Sequence, residues 1–97
     1  MHTIHWKKQA INDLIKIGQK IAKDSPANAE KMIDLIEGKV TPLAVYPEVG
    51  RTGRKRGTRE LVVHESYVVI YRMLAAKVEI LRVKHTAQQW PPTQKLN

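Results

Sequence analysis

Midway along this 97-residue chain the hydrophobic period changes from between three and four residues to two, and that switch leaves few folds open. In the first half, Ala10, Ile11, Leu14, Ile15, Ile17, Ile21 and Ala22 recur at three- and four-residue spacing. Lys7, Lys8, Asp13, Lys16, Lys20 and Lys23 fill the intervening positions. This spacing predicts an amphipathic helix over about residues 8–23, with Gly18 a local weak point. Ser25 then suits an N-cap and Pro26 a first helical position, where its missing N–H costs nothing. Ala29, Met32, Ile33, Ile36 and Val40 continue as a second stripe from Pro26 to about Gly38 or Lys39, and Gly38 and Pro42 end or bend that helix. So short a connection makes the two helices an antiparallel hairpin.

Beyond residue 58 the period is two. Arg59–His64, Tyr67–Met73 and Lys77–Lys84 are rich in Val, Ile, Leu and Tyr and are separated only by Glu65-Ser66 and Leu74–Ala76. Connections this short demand antiparallel pairing, so the three segments form a meander. Residues 3–6 alternate as a short leading strand. The expected fold is α+β, in the order strand, helix, helix, then three strands, with the helical hairpin packed on one face of a small antiparallel sheet. Residues 1–85 make one domain and 86–97, which lose all periodicity, a tail.

Several classes of chain are excluded. No apolar run approaches the roughly 20 residues needed to cross a bilayer. The N-terminus lacks the apolar stretch of a secretory signal. Cysteine is absent, which removes disulfides, thiolate zinc sites and a cysteine nucleophile and fits a reducing cytoplasm. Neither a metal-ligand spacing nor a Ser/His/Asp set is present, so no metal or cofactor is expected. The charge is the unusual quantity: seventeen Lys and Arg against nine Asp and Glu give +8. So basic a domain meets something anionic.

The cations concentrate. Arg51, Arg54, Lys55, Arg56 and Arg59 fall within nine residues that contain no acid, interrupted by Gly53 and Gly57, at the end of a loop over residues 46–58 and the start of the strand that follows it. Such a segment is either a solvated loop or a place where guanidinium groups meet phosphates or carboxylates. Arg82, Lys84 and His85 close the last strand; together they suit charge stabilisation and proton transfer at a phosphodiester, or a routine strand end. With Glu65-Ser66 as a two-residue turn, Val63 faces Val68, Leu61 faces Ile70 and Arg59 faces Arg72, and Glu79 then lies beside Arg72. Arg59, Arg72 and Glu79 would form one cross-strand charge row, as a salt-bridged rim or as a functional feature. Trp90 either folds back over the sheet or anchors a partner.

Taken together, Gly50-Arg51, Gly53-Arg54, Gly57–Val63, Tyr67–Arg72, Val78–His85 and Trp90-Pro91 resemble the RelE/ParE superfamily of toxins from type II toxin–antitoxin modules, over essentially the whole chain. The resemblance implies a small basic cytoplasmic protein of a plasmid-stabilisation type of system, wrapped and neutralised by an acidic antitoxin. It would meet operator DNA only through that complex and would not meet a membrane. RelE-like members cleave mRNA in the ribosomal A site without metal; ParE-like members inhibit DNA gyrase and are not nucleases. RNA-cleaving members carry an Arg directly after the first Tyr of the middle strand, where this chain has Val68, and a lysine pair on the preceding strand, where it has Arg59 and Leu61. The resemblance therefore favours a gyrase inhibitor without catalysis, whose target surface is Arg51, Arg54, Lys55, Arg56, Arg59 and Arg82. The alternatives are a ribosome-dependent mRNA endonuclease using Arg59, Lys84 and His85, and a non-toxic nucleic-acid-binding domain.

Overall fold

The computed structural model of the chain describes residues 1–87. The elements follow the order β1 (Thr3–Trp6), α1 (Lys8–Ala22), α2 (Pro26–Val40), a 3-10 turn (Thr41–Ala44), β2 (Arg51–Thr52), β3 (Arg59–His64), β4 (Tyr67–Leu74) and β5 (Lys77–His85). Ser25 caps α2 as expected, its hydroxyl accepting the Asn28 N–H at 3.2 Å. The α2 helix runs through Gly38 to Val40, and Pro42 sits at the start of the 3-10 turn, where no N–H is required of it.

The sheet has five strands in the order β1-β5-β4-β3-β2 and is mixed rather than wholly antiparallel. The meander β3-β4-β5 forms as expected, but β1 lies parallel to β5, pairing Ile4 with Val78 and Trp6 with Ile80. The helical hairpin carries the chain away from β1 and brings it back from the far edge, so no local turn dictates the direction of that pair. A two-residue strand, β2, also forms inside the basic loop and pairs with the start of β3.

The register of β3 on β4 departs from expectation by one residue. The turn at Glu65-Ser66 is present, but Val63 is an extra residue, so Val62 faces Val68, Leu61 faces Val69 and Arg59 faces Tyr71. A one-residue slip exchanges the faces of the sheet. Arg59 therefore leaves the anticipated charge row, while Arg72 and Glu79 do lie opposite each other. A second irregularity, with Leu81 as the extra residue, interrupts β5 between Ile80 and Arg82.

One core fills the space between hairpin and sheet. Ala10 and Leu14 of α1, Ile36 and Val40 of α2 and Leu43 of the 3-10 turn meet Val63, Tyr67, Val69, Tyr71, Val78, Ile80 and Val83. Each fully buried aliphatic side chain stabilises by roughly 1.5–3 kcal/mol. Of the expected tail, Thr86 is tied to the β3–β4 turn through its N–H to Ser66 O and its hydroxyl to Glu65 O. Trp90 lies outside the described residues.

Candidate functional site

The cations divide between two ends of the sheet. At one end, β2 and β3 form a hairpin closed by Gly53 N–H to Thr58 O at 2.7 Å, with Gly57 at φ +83°, a conformation that favours glycine. The first acid after the basic run, Glu60, is buried beneath this hairpin. Its Oε1 accepts from Arg51 Nε and Nη2 at 3.2 and 3.0 Å, and its Oε2 accepts the Arg54 N–H at 3.2 Å. Arg51 is thereby fixed by this chain's own carboxylate. Arg54, Lys55 and Arg56 are exposed at the hairpin tip, and the Arg54 and Arg56 guanidinium groups pair with no described residue. Arg59 is half-buried; its Nη1 donates to Gly50 O at 2.8 Å and Glu48 O at 3.2 Å. It therefore organises the preceding loop.

At the other end, α1 crosses the edge of β5 where β1 has stopped. The Lys7 N–H donates to Ile80 O, ending the parallel ladder. Further on, Asp13 of α1 takes over as acceptor, its Oδ2 receiving the Val83 N–H at 2.9 Å. The same carboxylate holds Arg82 in a fork, Nε to Oδ2 at 2.8 Å and Nη2 to Oδ1 at 3.0 Å. The irregularity at Leu81 immediately precedes Arg82, where bulges commonly re-aim a side chain. Arg82 thus fastens helix to sheet.

Beside that fork lies a cleft of about 370 Å³ lined by Lys16, Ile17 and Lys20 of α1 and by Tyr67, Lys84 and His85 of the sheet. Its one acid, Asp13, is engaged by Arg82, so Lys16, Lys20 and Lys84 leave the lining with an excess of positive charge. The Lys84 ammonium is held below the usual lysine range by burial and by the nearby cations Arg82 and Lys16. His85 Nδ1 accepts the Ala87 N–H at 3.0 Å, so the neutral ring carries its proton on Nε2. Tyr67 meets the His85 ring edge-on at 5.6 Å. A concave site with excess positive charge takes an anionic group, a carboxylate or a phosphate.

Arg82, Lys84 and His85 therefore come together as their sequence proximity implies. Arg59 does not join them. It stands opposite Tyr71 and His85 opposite Tyr67, four residues apart on β4, which is about 13 Å along the strand. The sequence places Lys16, Lys20 and Asp13 only at polar positions of α1 and gives them no part in a site. Their four-residue lysine spacing marks a polar stripe of α1, but only packing reveals that the stripe borders the β5 edge. Among the described residues no group of three or more His, Asp or Glu is placed to hold a metal ion.

Comparison with known proteins places this geometry in a family context. Residues 4–90 match the family described as the ParE toxin of the type II toxin–antitoxin system parDE. The chain is 44% identical to a putative toxin, Y4kP, of Sinorhizobium fredii over 91% of its own length and 92% of the relative. It is 35% identical to toxin RelE2 of Caulobacter vibrioides, covering 91% and 99% of the two chains. Among solved structures it is similar to a chain of the chromosomal ParDE system of P. aeruginosa, with a TM-score of 0.78 and 25% identity over 88% of this chain and 96% of that one.

Proposed function

Because the chain belongs to the ParE toxin family of type II toxin–antitoxin systems, we propose that it arrests growth in the cytoplasm by binding DNA gyrase, without catalysis, and that an acidic antitoxin neutralises it. The observation that carries this reading is the dispersal of the cations. A phosphodiesterase needs its charge-stabilising and proton-transferring groups around one scissile bond. Here Arg59 is spent on the carbonyls of Gly50 and Glu48, Arg82 on Asp13 and Arg51 on Glu60, and Val68 stands where RNA-cleaving members carry Arg. What remains, the cleft around Lys16, Lys20 and Lys84 and the exposed hairpin tip, suits the binding of carboxylates on a protein surface better than chemistry on RNA.

A second reading rests on His85, which lines one cationic cleft with Lys84, a pair of residue types suited to proton transfer and charge stabilisation in ribosome-dependent mRNA cleavage. One pair of assays separates the two. The purified protein is expected to block gyrase supercoiling at near-stoichiometric amounts and to leave mRNA on translating ribosomes intact. Undiminished supercoiling together with ribosome-dependent loss of mRNA, abolished by His85→Ala, reverses the assignment.

A further inference from the structure

The segment between the 3-10 turn and β2 combines a firmly held backbone with three apolar side chains, Val45, Tyr46 and Val49, that face water. Its polar backbone is held from both sides. The Tyr71 hydroxyl, on a fully buried ring at the centre of the sheet, donates to Pro47 O at 2.7 Å and accepts the Gly50 N–H at 2.9 Å. Burial pushes the Tyr71 phenol up, so its proton stays available for that bond. Arg59 clamps the carbonyls of Glu48 and Gly50, and Pro42 O accepts the N–H groups of both Val45 and Tyr46. Even Gly50 is fitted to the clamp: a Cβ there would stand 2.6 Å from the Tyr71 oxygen. Yet Val45, Tyr46 and Val49 are 53%, 68% and 63% exposed. The Val49 N–H donates to Tyr46 O, so those two side chains flank one turn.

Ordering a loop whose Val45, Tyr46 and Val49 side chains stay more than half exposed costs conformational entropy with little return from their burial. The return comes when a partner covers them, and a loop already ordered has less entropy to lose on binding. Tyrosine is among the residues most often decisive at the centre of protein interfaces. The chain that follows the turn supplies the charge. Glu48 is the one acid of the turn, whereas Arg54 and Arg56, exposed at the hairpin tip, follow within eight residues of it, Arg51 being engaged by Glu60. Val45 and Val49 offer nothing to a phosphate backbone, so nucleic acid is a poor fit.

We propose that the clamped turn Val45–Val49 is a preformed docking epitope for the protein target, receiving a segment that presents an apolar side chain flanked by carboxylates. The inference rests on the reading above that this toxin acts by binding a protein. Tyr71 and Arg59 are positioning residues for the epitope, and Tyr46 and Val49 are its contacts.

The test pairs Tyr46→Ala/Val49→Ala with Tyr46→Phe. The double variant alters only exposed side chains, so its thermal unfolding should match the parent. It is expected to lose at least about tenfold in inhibition of purified gyrase and to fail to arrest growth, while its affinity for the cognate antitoxin stays within about twofold. Tyr46→Phe, which keeps the ring, should retain inhibition. Parent-like inhibition and growth arrest by the double variant overturn the proposal, as does loss of antitoxin binding with inhibition kept. If the parent protein itself leaves gyrase unaffected, the gyrase reading fails separately. Growth arrest then decides the epitope: arrest abolished in the double variant supports a docking turn for another protein, and arrest retained overturns it.

Discussion

Glu79 sets an acid limit on this fold. Its carboxylate is buried and accepts from Arg72 Nε at 2.6 Å, with Lys77 and Lys7 ammonium groups at 3.5 and 3.9 Å. The Arg72 hydrogen bond foremost, and the charges of Arg72, Lys7 and Lys77 with it, outweigh burial and hold the carboxyl below the usual glutamate range. A depressed folded-state pKa means the folded chain binds fewer protons than the unfolded chain in the interval below about pH 4.3. The stabilisation is therefore complete above that value and is lost as pH falls through the folded pKa. The melting temperature should drop on acidification through this window, and Glu79→Gln, less stable at neutral pH, should show a flatter acid limb. Thermal unfolding from pH 7 to 3 measures both. Arg72 and Glu79 are seven residues apart across one hairpin, so their pairing is readable from turn length alone. Arg82 and Asp13 are separated by 69 residues, and nothing local announces them.

At the level of elements, the least foreseeable contact is the helix that finishes an edge. β1 covers β5 only as far as Ile80, and Asp13 then serves the Val83 N–H in place of a strand. Asp13→Asn keeps an acceptor but removes the charge from the Arg82 fork. It should cost about 1.5–3 kcal/mol, the range for hydrogen bonds to charged groups. Urea unfolding should register the loss as a lower midpoint at unchanged slope. Helix and strand limits were legible to within a residue or two because periodicity and the Ser25-Pro26 cap mark them. The extra residue at Val63 was not. Two-residue alternation puts Leu61 and Val63 on one face with or without an inserted residue, so only the pairing with β4 reveals the bulge.

For the whole molecule, the proposed function rests on where the charge excess is left after internal pairing. Cations at the Lys16–Lys20–Lys84 cleft are expected to steer and hold an acidic partner, an interaction that salt screens. Lys16→Glu/Lys20→Glu should weaken gyrase inhibition about tenfold at low salt, with the difference shrinking as salt rises. Lys8→Glu, an exposed position outside the cleft, should not. Supercoiling assays over a salt series read this directly. Two periods of hydrophobicity, a capped hairpin and two short turns determined an α+β layer with a basic surplus, because those signals act over neighbouring residues. The parallel seat of β1, the face taken by Arg59 and the neutralisation of Arg51 and Arg82 by Glu60 and Asp13 were decided only in three dimensions. Each depends on which distant backbone or carboxylate a side chain meets once the core has closed, and that encounter has no signature in the spacing of residues along the chain.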